Sequence, residues 1–227
     1  MAELVLDDAS VVAESGVSIL RPTTVTLTEQ RIGVIGGNGS GKSTLVRLLN
    51  GLVQASSGRV LVDGVDVDTR GSEVRRRVGF CFTDPAAQLV MPTCVEDVEL
   101  SLRRTIPDRA ARRTAALDVL ARFGLSDRAD VSVHALSGGQ RQLLALSGVL
   151  AAEPDVLIAD EPTTLLDLRN ARLVAEVLFG LPQQLVLVTH DLDLVRRCDR
   201  VLVVEDGAVR FDGRADDAVT DYVGSVA

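Results

Sequence analysis

The chain contains one lysine, and it lies in "GGNGSGKST", Gly36-Gly37-Asn38-Gly39-Ser40-Gly41-Lys42-Ser43-Thr44. The spacing Gly-x-x-x-x-Gly-Lys-Ser suits a phosphate cradle. Residues without bulk let successive backbone N–H groups wrap phosphate oxygens, and a helix that follows aims its positive end at them. Lys42 would reach the β- and γ-phosphates of a nucleotide, and the Ser43 hydroxyl would ligate Mg2+. A glycine-rich turn with no ligand is the plain alternative. Every other basic residue is an arginine. Arginine serves salt bridges and solvated faces well, but a tight cradle has room for a slim stem ending in a compact charge, not for a wide planar guanidinium.

Three further groups suit the same chemistry. "DVLIADEP" ends an apolar run with Asp160 and Glu161, carboxylates that could hold Mg2+ through water and polarise an attacking water. "LVLVTHD" ends another with His190, either a γ-phosphate sensor or simply a capping or core histidine. "LSGGQ", Leu136-Ser137-Gly138-Gly139-Gln140, opens a helical stretch. A serine and two glycines at a helix start make a second anion site, or only an N-cap with a flexible lead-in. One nucleotide does not need two such sites, whereas two chains facing head to tail would.

The elements that must position these groups follow from periodicity. "SILRPTTVTLTEQRIGVIG" holds two β-rich runs, the second ending at the glycine loop. "STLVRLLNGL" is helical, with Gly51 as its stop. "GRVLVDGVDV" alternates around Asp63-Gly64, a hairpin signal, and "RRRVGFCF" reads as another strand. From about Asp84 to Ala152 the pattern turns helical, in "CVEDVELSLRR", "RAARRTAALDVLARFGL" and "SGGQRQLLALSGVLAAE". Then "DVLIAD", "QLVLVTH" and "RVLVVEDGAVRF" return to short apolar runs typical of buried parallel strands. The pattern implies an α/β core interrupted by a helical lobe.

Composition narrows the function classes. A chain of 227 residues can bury one sizeable core, with or without a smaller lobe. Its formal net charge of −8 argues against a nonspecific nucleic-acid or anionic-lipid surface, and 3% aromatics argue against base stacking. No apolar run approaches a membrane span, and "MAELVLDD" lacks the basic start and apolar stretch of a signal peptide. Cys81, Cys94 and Cys198 are widely spaced and read as reduced, buried thiols of a cytosolic protein. The runs Arg75-Arg76-Arg77 and Arg103-Arg104 read as solvated faces, with a membrane-subunit or lipid contact as the alternative.

The order and spacing of "GGNGSGKST", "LSGGQ", "LIADEP", "LLD" around Asp167, and "VTH" resemble those of ABC-type ATPases over nearly the whole chain. The resemblance implies an α/β P-loop NTPase core with a mixed sheet, an N-terminal antiparallel β subdomain and an inserted α-helical subdomain. It places the core at 1–83 and 153–227 and the helical subdomain at 84–152, within one ATPase domain. It implies ATP and Mg2+ as cofactors, Glu161 as general base, His190 and Lys42 at the γ-phosphate, and Ser43 with Asp160 at the metal. The signature Leu136–Gln140 would act in trans on the ATP of the second chain, and Asp167 would bridge the two sites. Dimerisation with a copy of itself or with a second ATPase follows.

One segment points to a branch. "VGFCFTDPAAQLVMPTCVEDVELSL" resembles the matching stretch of ATPases from energy-coupling-factor importers, through Asp84-Pro85, Gln88, Pro92-Thr93 and Glu96-Asp97-Val98. An ordinary strand-to-helix loop is the bland alternative. The resemblance implies a groove at Thr83 and Gln88 that receives a coupling helix. Its partners are an integral membrane scaffold (T) and a substrate-binding (S) subunit, with the ATPase on the cytoplasmic face of a bacterial membrane and no nucleic acid. The short end after the last strand pair favours the biotin branch over cobalt or nickel. Two departures stand out: Thr83 replaces the family's glutamine, and Ala13 falls where an aromatic usually stacks on adenine, leaving aliphatic neighbours such as Val17. An exporter ATPase would share the fold and chemistry, but the Gln88–Asp97 segment argues against it. A soluble ABC ATPase acting on DNA or ribosomes would carry coiled-coil insertions or two cassettes, and this chain has neither.

Overall fold

Short apolar runs bounded by Gly, Asp and Pro become strands buried on both faces, and they set the frame on which the chemistry hangs. A computed structural model describes residues 1–226. Its elements are β1 (Leu4–Val12), β2 (Ser18–Leu27), β3 (Arg31–Ile35), α1 (Lys42–Leu48), β4 (Ser57–Val62), β5 (Val65–Asp66), α2 (Gly71–Arg77), β6 (Val78–Cys81), α3 (Cys94–Leu102), α4 (Arg109–Arg122), α5 (Gly138–Ala151), β7 (Val156–Asp160), α6 (Leu168–Gly180), β8 (Gln184–Val188), α7 (Leu192–Val195), β9 (Arg200–Glu205), β10 (Ala208–Gly213) and α8 (Ala215–Val226). Two compact units result. One comprises Met1–Phe80, Asp155–Glu161 and Phe179–Ala227, the other Cys81–Pro154 and Pro162–Leu178.

The first unit carries both sheets. A four-stranded antiparallel sheet runs β2-β1-β4-β5, and a six-stranded one runs β10-β9-β3-β8-β7-β6. In the larger sheet β3 pairs in parallel with β8 and β9, and β7 with β8, while β10 returns antiparallel on β9. Every residue of β7 and β8 is buried, as expected of parallel strands covered on both faces. The Asp63-Gly64 hairpin forms: both residues have positive φ, 47° and 73°, and Val62 pairs with Val65. That is the handedness a two-residue turn between twisted strands requires. Gly51, at φ 70°, ends the first helical stretch and donates its N–H to the Leu48 carbonyl. Beneath one face of the sheet, Ile35, Val201 and Val203 pack with Ala218 and Val219 of α8.

One expectation needs correction. "RRRVGFCF" is not a single strand: its three arginines close α2, and β6 begins only at Val78. Glu73 in the first turn and Arg75–Arg77 in the last complement the helix dipole, and Val74 gives the short helix its one buried anchor.

The second unit is helical, with one isolated bridge between Thr93 and Ser132. Thr93 starts α3 with a capping box to Glu96, and Asp108 starts α4 by accepting the Ala111 N–H. The unit also takes in Pro162–Leu178, because Gly138 and Gly139 lie against Leu165, Leu166 and Asn170. All three cysteines are free and buried, and burial pushes the Cys81 and Cys198 thiols up to about 12. Among the described residues no helix is long and apolar enough to cross a membrane.

Candidate functional site

Strand β3 delivers the chain to the glycine loop, and the loop bends back over its own carbonyls. Gly36 has φ 148°, and a Cβ there would overlap the Val204 carbonyl oxygen of β9; only glycine fits. Lys42 opens α1 and is 7% exposed. Its ammonium donates to the carbonyls of Gly36 at 2.9 Å and Gly37 at 2.7 Å. Burial lowers its pKa, and the nearby carboxylates of Glu161 and Asp160 pull it part of the way back. The loop and the end of β7 are therefore close enough to share one electrostatic site.

Asp160 is buried, and both of its oxygens accept hydrogen bonds. Its Oδ1 accepts from the Ser43 hydroxyl at 2.9 Å and its Oδ2 from the Arg47 guanidinium at 3.1 Å. Sequence reading missed Arg47, although its spacing was a signal. Ser43 and Arg47 stand at i and i+4, one above the other on one face of α1. A hydroxyl beside a buried carboxylate is a hard-oxygen donor set of the kind Mg2+ takes.

Glu161 follows directly but leaves the strand conformation. Its φ is 53°, left-handed for a residue with a side chain, a conformation that costs on the order of 1–3 kcal/mol. Its N–H still donates to Val188 of β8 at 2.9 Å. Strict β geometry would turn Glu161 to the opposite side from Asp160; the positive φ breaks that alternation. The register Asp160↔Val188 then sets Glu161 beside the end of β8, where His190 Nδ1 lies 2.8 Å from Glu161 Oε2. With Glu161 ionised, Nδ1 carries the proton and donates it to that carboxylate. Lys42, Ser43, Asp160, Glu161 and His190 all belong to the first unit.

The signature residues belong to the second. Ser137 caps α5: its hydroxyl accepts the Gln140 N–H at 3.3 Å, and Gln140 Oε1 accepts the Ser137 N–H at 3.0 Å. Leu136 is buried beside an exposed Ser137, anchoring the loop while the cap faces outward. Gly139 has a packing reason as well: a Cβ there would overlap the Asn170 side chain. Asn170 in turn donates its backbone N–H to Asp167 Oδ1 at 3.0 Å and its amide to Oδ2 at 2.6 Å. Those two bonds, the backbone one foremost, lower the pKa of the exposed Asp167 carboxyl. Ser137, Gln140, Asp167 and Asn170 line one cleft of about 580 Å3. Asn170, which sequence reading passed over, is thus the contact that links the signature to Asp167.

The expected coupling residues lie in the same unit. Thr83 is half-buried. Gln88 follows a one-turn 3-10 helix, Pro85–Ala87, and its amide is turned inward: Oε1 accepts the Phe82 N–H at 3.3 Å and Nε2 donates to the Ala145 carbonyl at 3.1 Å.

Known proteins share this sequence pattern and fold. The family model described as ABC transporter matches residues 21–164. A Deinococcus radiodurans protein whose name goes no further than an ABC transporter ATP-binding protein is 48% identical over 90% of this chain and 90% of its own. The biotin transport ATP-binding protein BioM of Rhizobium etli is 43% identical over 89% of this chain and 90% of its own. Among solved structures, CbiO1 of Clostridium perfringens, part of the ABC transporter complex CbiONQ, superposes with a TM-score of 0.83 at 31% identity, covering 97% of this chain and 92% of that one. The dimeric ATP-binding cassette MJ0796, bound to ADP and Pi, superposes equally well at 27% identity, covering 93% and 98%.

Two outcomes test the site. Lys42→Arg should keep the thermal midpoint of the parent and lose ATP hydrolysis by ~100-fold or more, because the guanidinium cannot enter the cradle; a fully active protein would make the lone lysine an accident of composition. Gly139→Ala should lower unfolding free energy by about 1–3 kcal/mol in a denaturant titration. Adding Asn170→Gly should recover part of that loss, since it removes the side chain in the way.

Proposed function

The chain belongs to the ABC transporter family, as an ATP-hydrolysing cassette, and from that premise we propose that it powers an energy-coupling-factor importer whose cargo is biotin. The observation that carries the hydrolytic part is the convergence of Lys42, Ser43, Asp160, Glu161 and His190 at one end of the parallel sheet. The importer branch and its cargo are supported by the 43% likeness to BioM and the weaker, 31% likeness to CbiO1. The segment from Thr83 to Val98 supports the same branch.

Lys42 holds the β- and γ-phosphates, with the backbone of Gly36–Gly41 wrapped around them. Ser43, with Asp160 through water, would hold Mg2+, which would supply positive charge against that of the phosphates. Glu161 takes the proton of the attacking water on its carboxylate. His190 orients that carboxylate through Nδ1 and presents Nε2 toward the γ-phosphate. Two copies pair head to tail, so that Ser137, Gly138 and Gly139 of one close over the phosphate held by the other, as supported by the likeness to a dimeric cassette. Asp167, its carboxylate held by Asn170, sits at the crossing between the two sites. ATP-driven closure moves the segment around Thr83 and Gln88, which passes the movement to a membrane scaffold. The chain itself then rests on the cytoplasmic face of the membrane, peripheral to it and without a nucleic-acid partner.

Glu161→Gln should accumulate as an ATP-bound dimer on size-exclusion chromatography, with turnover reduced by about 10^2–10^4-fold; rapid hydrolysis by this variant removes Glu161 from the role of base. For the cargo, the complex purified from native membranes should contain two integral membrane subunits and, in proteoliposomes supplied with ATP, should accumulate biotin. Uptake of cobalt or nickel instead would move the protein to the metal branch.

A further inference from the structure

Helix α5 is apolar over most of its length, with Leu143, Leu144, Ala145 and Leu146 buried. One fully buried amide interrupts it. Gln142 is 1% exposed, and its Nε2 donates to the Cys81 sulfur at 3.3 Å and to the Phe82 carbonyl at 3.4 Å. Neither bond is strong, since sulfur is a weak acceptor and 3.4 Å is long for N–H···O. An apolar side chain of the same shape would fill the space without the desolvation cost of an amide. Within α5 itself, then, stability gives no reason for a glutamine.

The backbone of Phe82 supplies one. Its carbonyl accepts from Gln142, its N–H donates to Gln88, and Gln88 donates onward to the Ala145 carbonyl. Both backbone polar groups of one residue are thus tied, through two side-chain amides, to a single turn of α5. The next residue is Thr83. At the other end of the linkage, Ser137 caps the same helix, five residues before Gln142 and so about 7.5 Å away along the axis.

We infer that Gln142 is a positioning residue: with Gln88 it locks the backbone that carries Thr83 to the helix that carries Ser137 and Gly138, so that the two move as one piece. Threonine at 83 gives the lock its importance. A long side chain can absorb a displaced backbone through its rotamers, whereas a short hydroxyl must be placed by the backbone itself. The inference rests on the proposed transport reading, in which the signature acts on bound ATP and the segment around Thr83 passes movement to the membrane.

The test uses the full chain in its native membrane complex. Gln142→Met keeps the volume and removes both donors. It should lower kcat by about tenfold with KM within about twofold and the thermal midpoint unchanged, a split that lost packing alone does not produce. Gln142→Glu reads the same bond by pH. A buried carboxyl has a raised pKa; protonated, it can donate to the Phe82 carbonyl, and ionised, it repels it. Its rate relative to the parent should therefore be highest at low pH and fall as pH rises. A Gln142→Met complex turning over at the parent rate, or a Gln142→Glu rate whose ratio to the parent is independent of pH, overturns the positioning role and leaves the ATPase reading standing. A parent complex that hydrolyses no ATP would sink that reading instead.

Discussion

A buried ammonium organises the nucleotide end of this protein. Lys42 is held by two carbonyls of its own loop and faces Asp160 and Glu161. Burial outweighs the carboxylates, so its folded pKa lies below the ordinary lysine value. The sign matters. A lysine whose pKa falls on folding disfavours the folded state wherever it is charged, at neutral pH included. That cost disappears only as pH rises through the unfolded lysine pKa near 10.4. Lys42 is therefore not kept for stability. The loop carbonyls and the two carboxylates limit the cost of keeping a charge where a polyanion binds.

The carboxylates arrive there by strand register. Asp160 ends β7 opposite Val188 of β8, and His190 lies two residues beyond that partner. Parallel pairing therefore brings Glu161 and His190 side by side although 29 residues separate them. The left-handed backbone at Glu161 then puts two consecutive carboxylates to separate uses. Asp160 stays in the strand, bonded to Ser43 and Arg47, while Glu161 turns out to meet the histidine. Strain at Glu161 is stored where its carboxylate meets His190.

The sequence revealed the glycine loop, the signature, the strand-end carboxylates and the histidine, because each motif encodes a backbone requirement that few residue types satisfy. The same holds for the buried parallel strands, whose apolar runs leave little else to read. Residues whose roles arise only by contact were less visible. Arg47 takes on its role only because Asp160 lies within reach of its guanidinium. Asn170 gave no local sign of supporting Asp167 and bounding Gly139 at once. Gln142 read as one more residue of a helix, since its partners lie 60 and 61 positions away. The arginines before β6 misled for a different reason: a seven-residue helix anchored by one valine has too little periodicity to announce itself.

The glycines of the two motifs point to a wider constraint. Gly36 and Gly139 are usually justified by a phosphate that must come close, yet each has a neighbour inside the protein that already forbids a side chain. For Gly36 it is the Val204 carbonyl of β9, and for Gly139 the Asn170 side chain. The loop is thereby pressed onto the sheet, and the signature turn onto the residue that holds Asp167. Each turn is fixed from behind by close packing, so its N–H groups would need little reordering on meeting a phosphate. That is the condition under which backbone dipoles stabilise developing charge most effectively. A glycine at these places serves rigidity as much as access, and a substitution would disturb the turn even with no nucleotide bound.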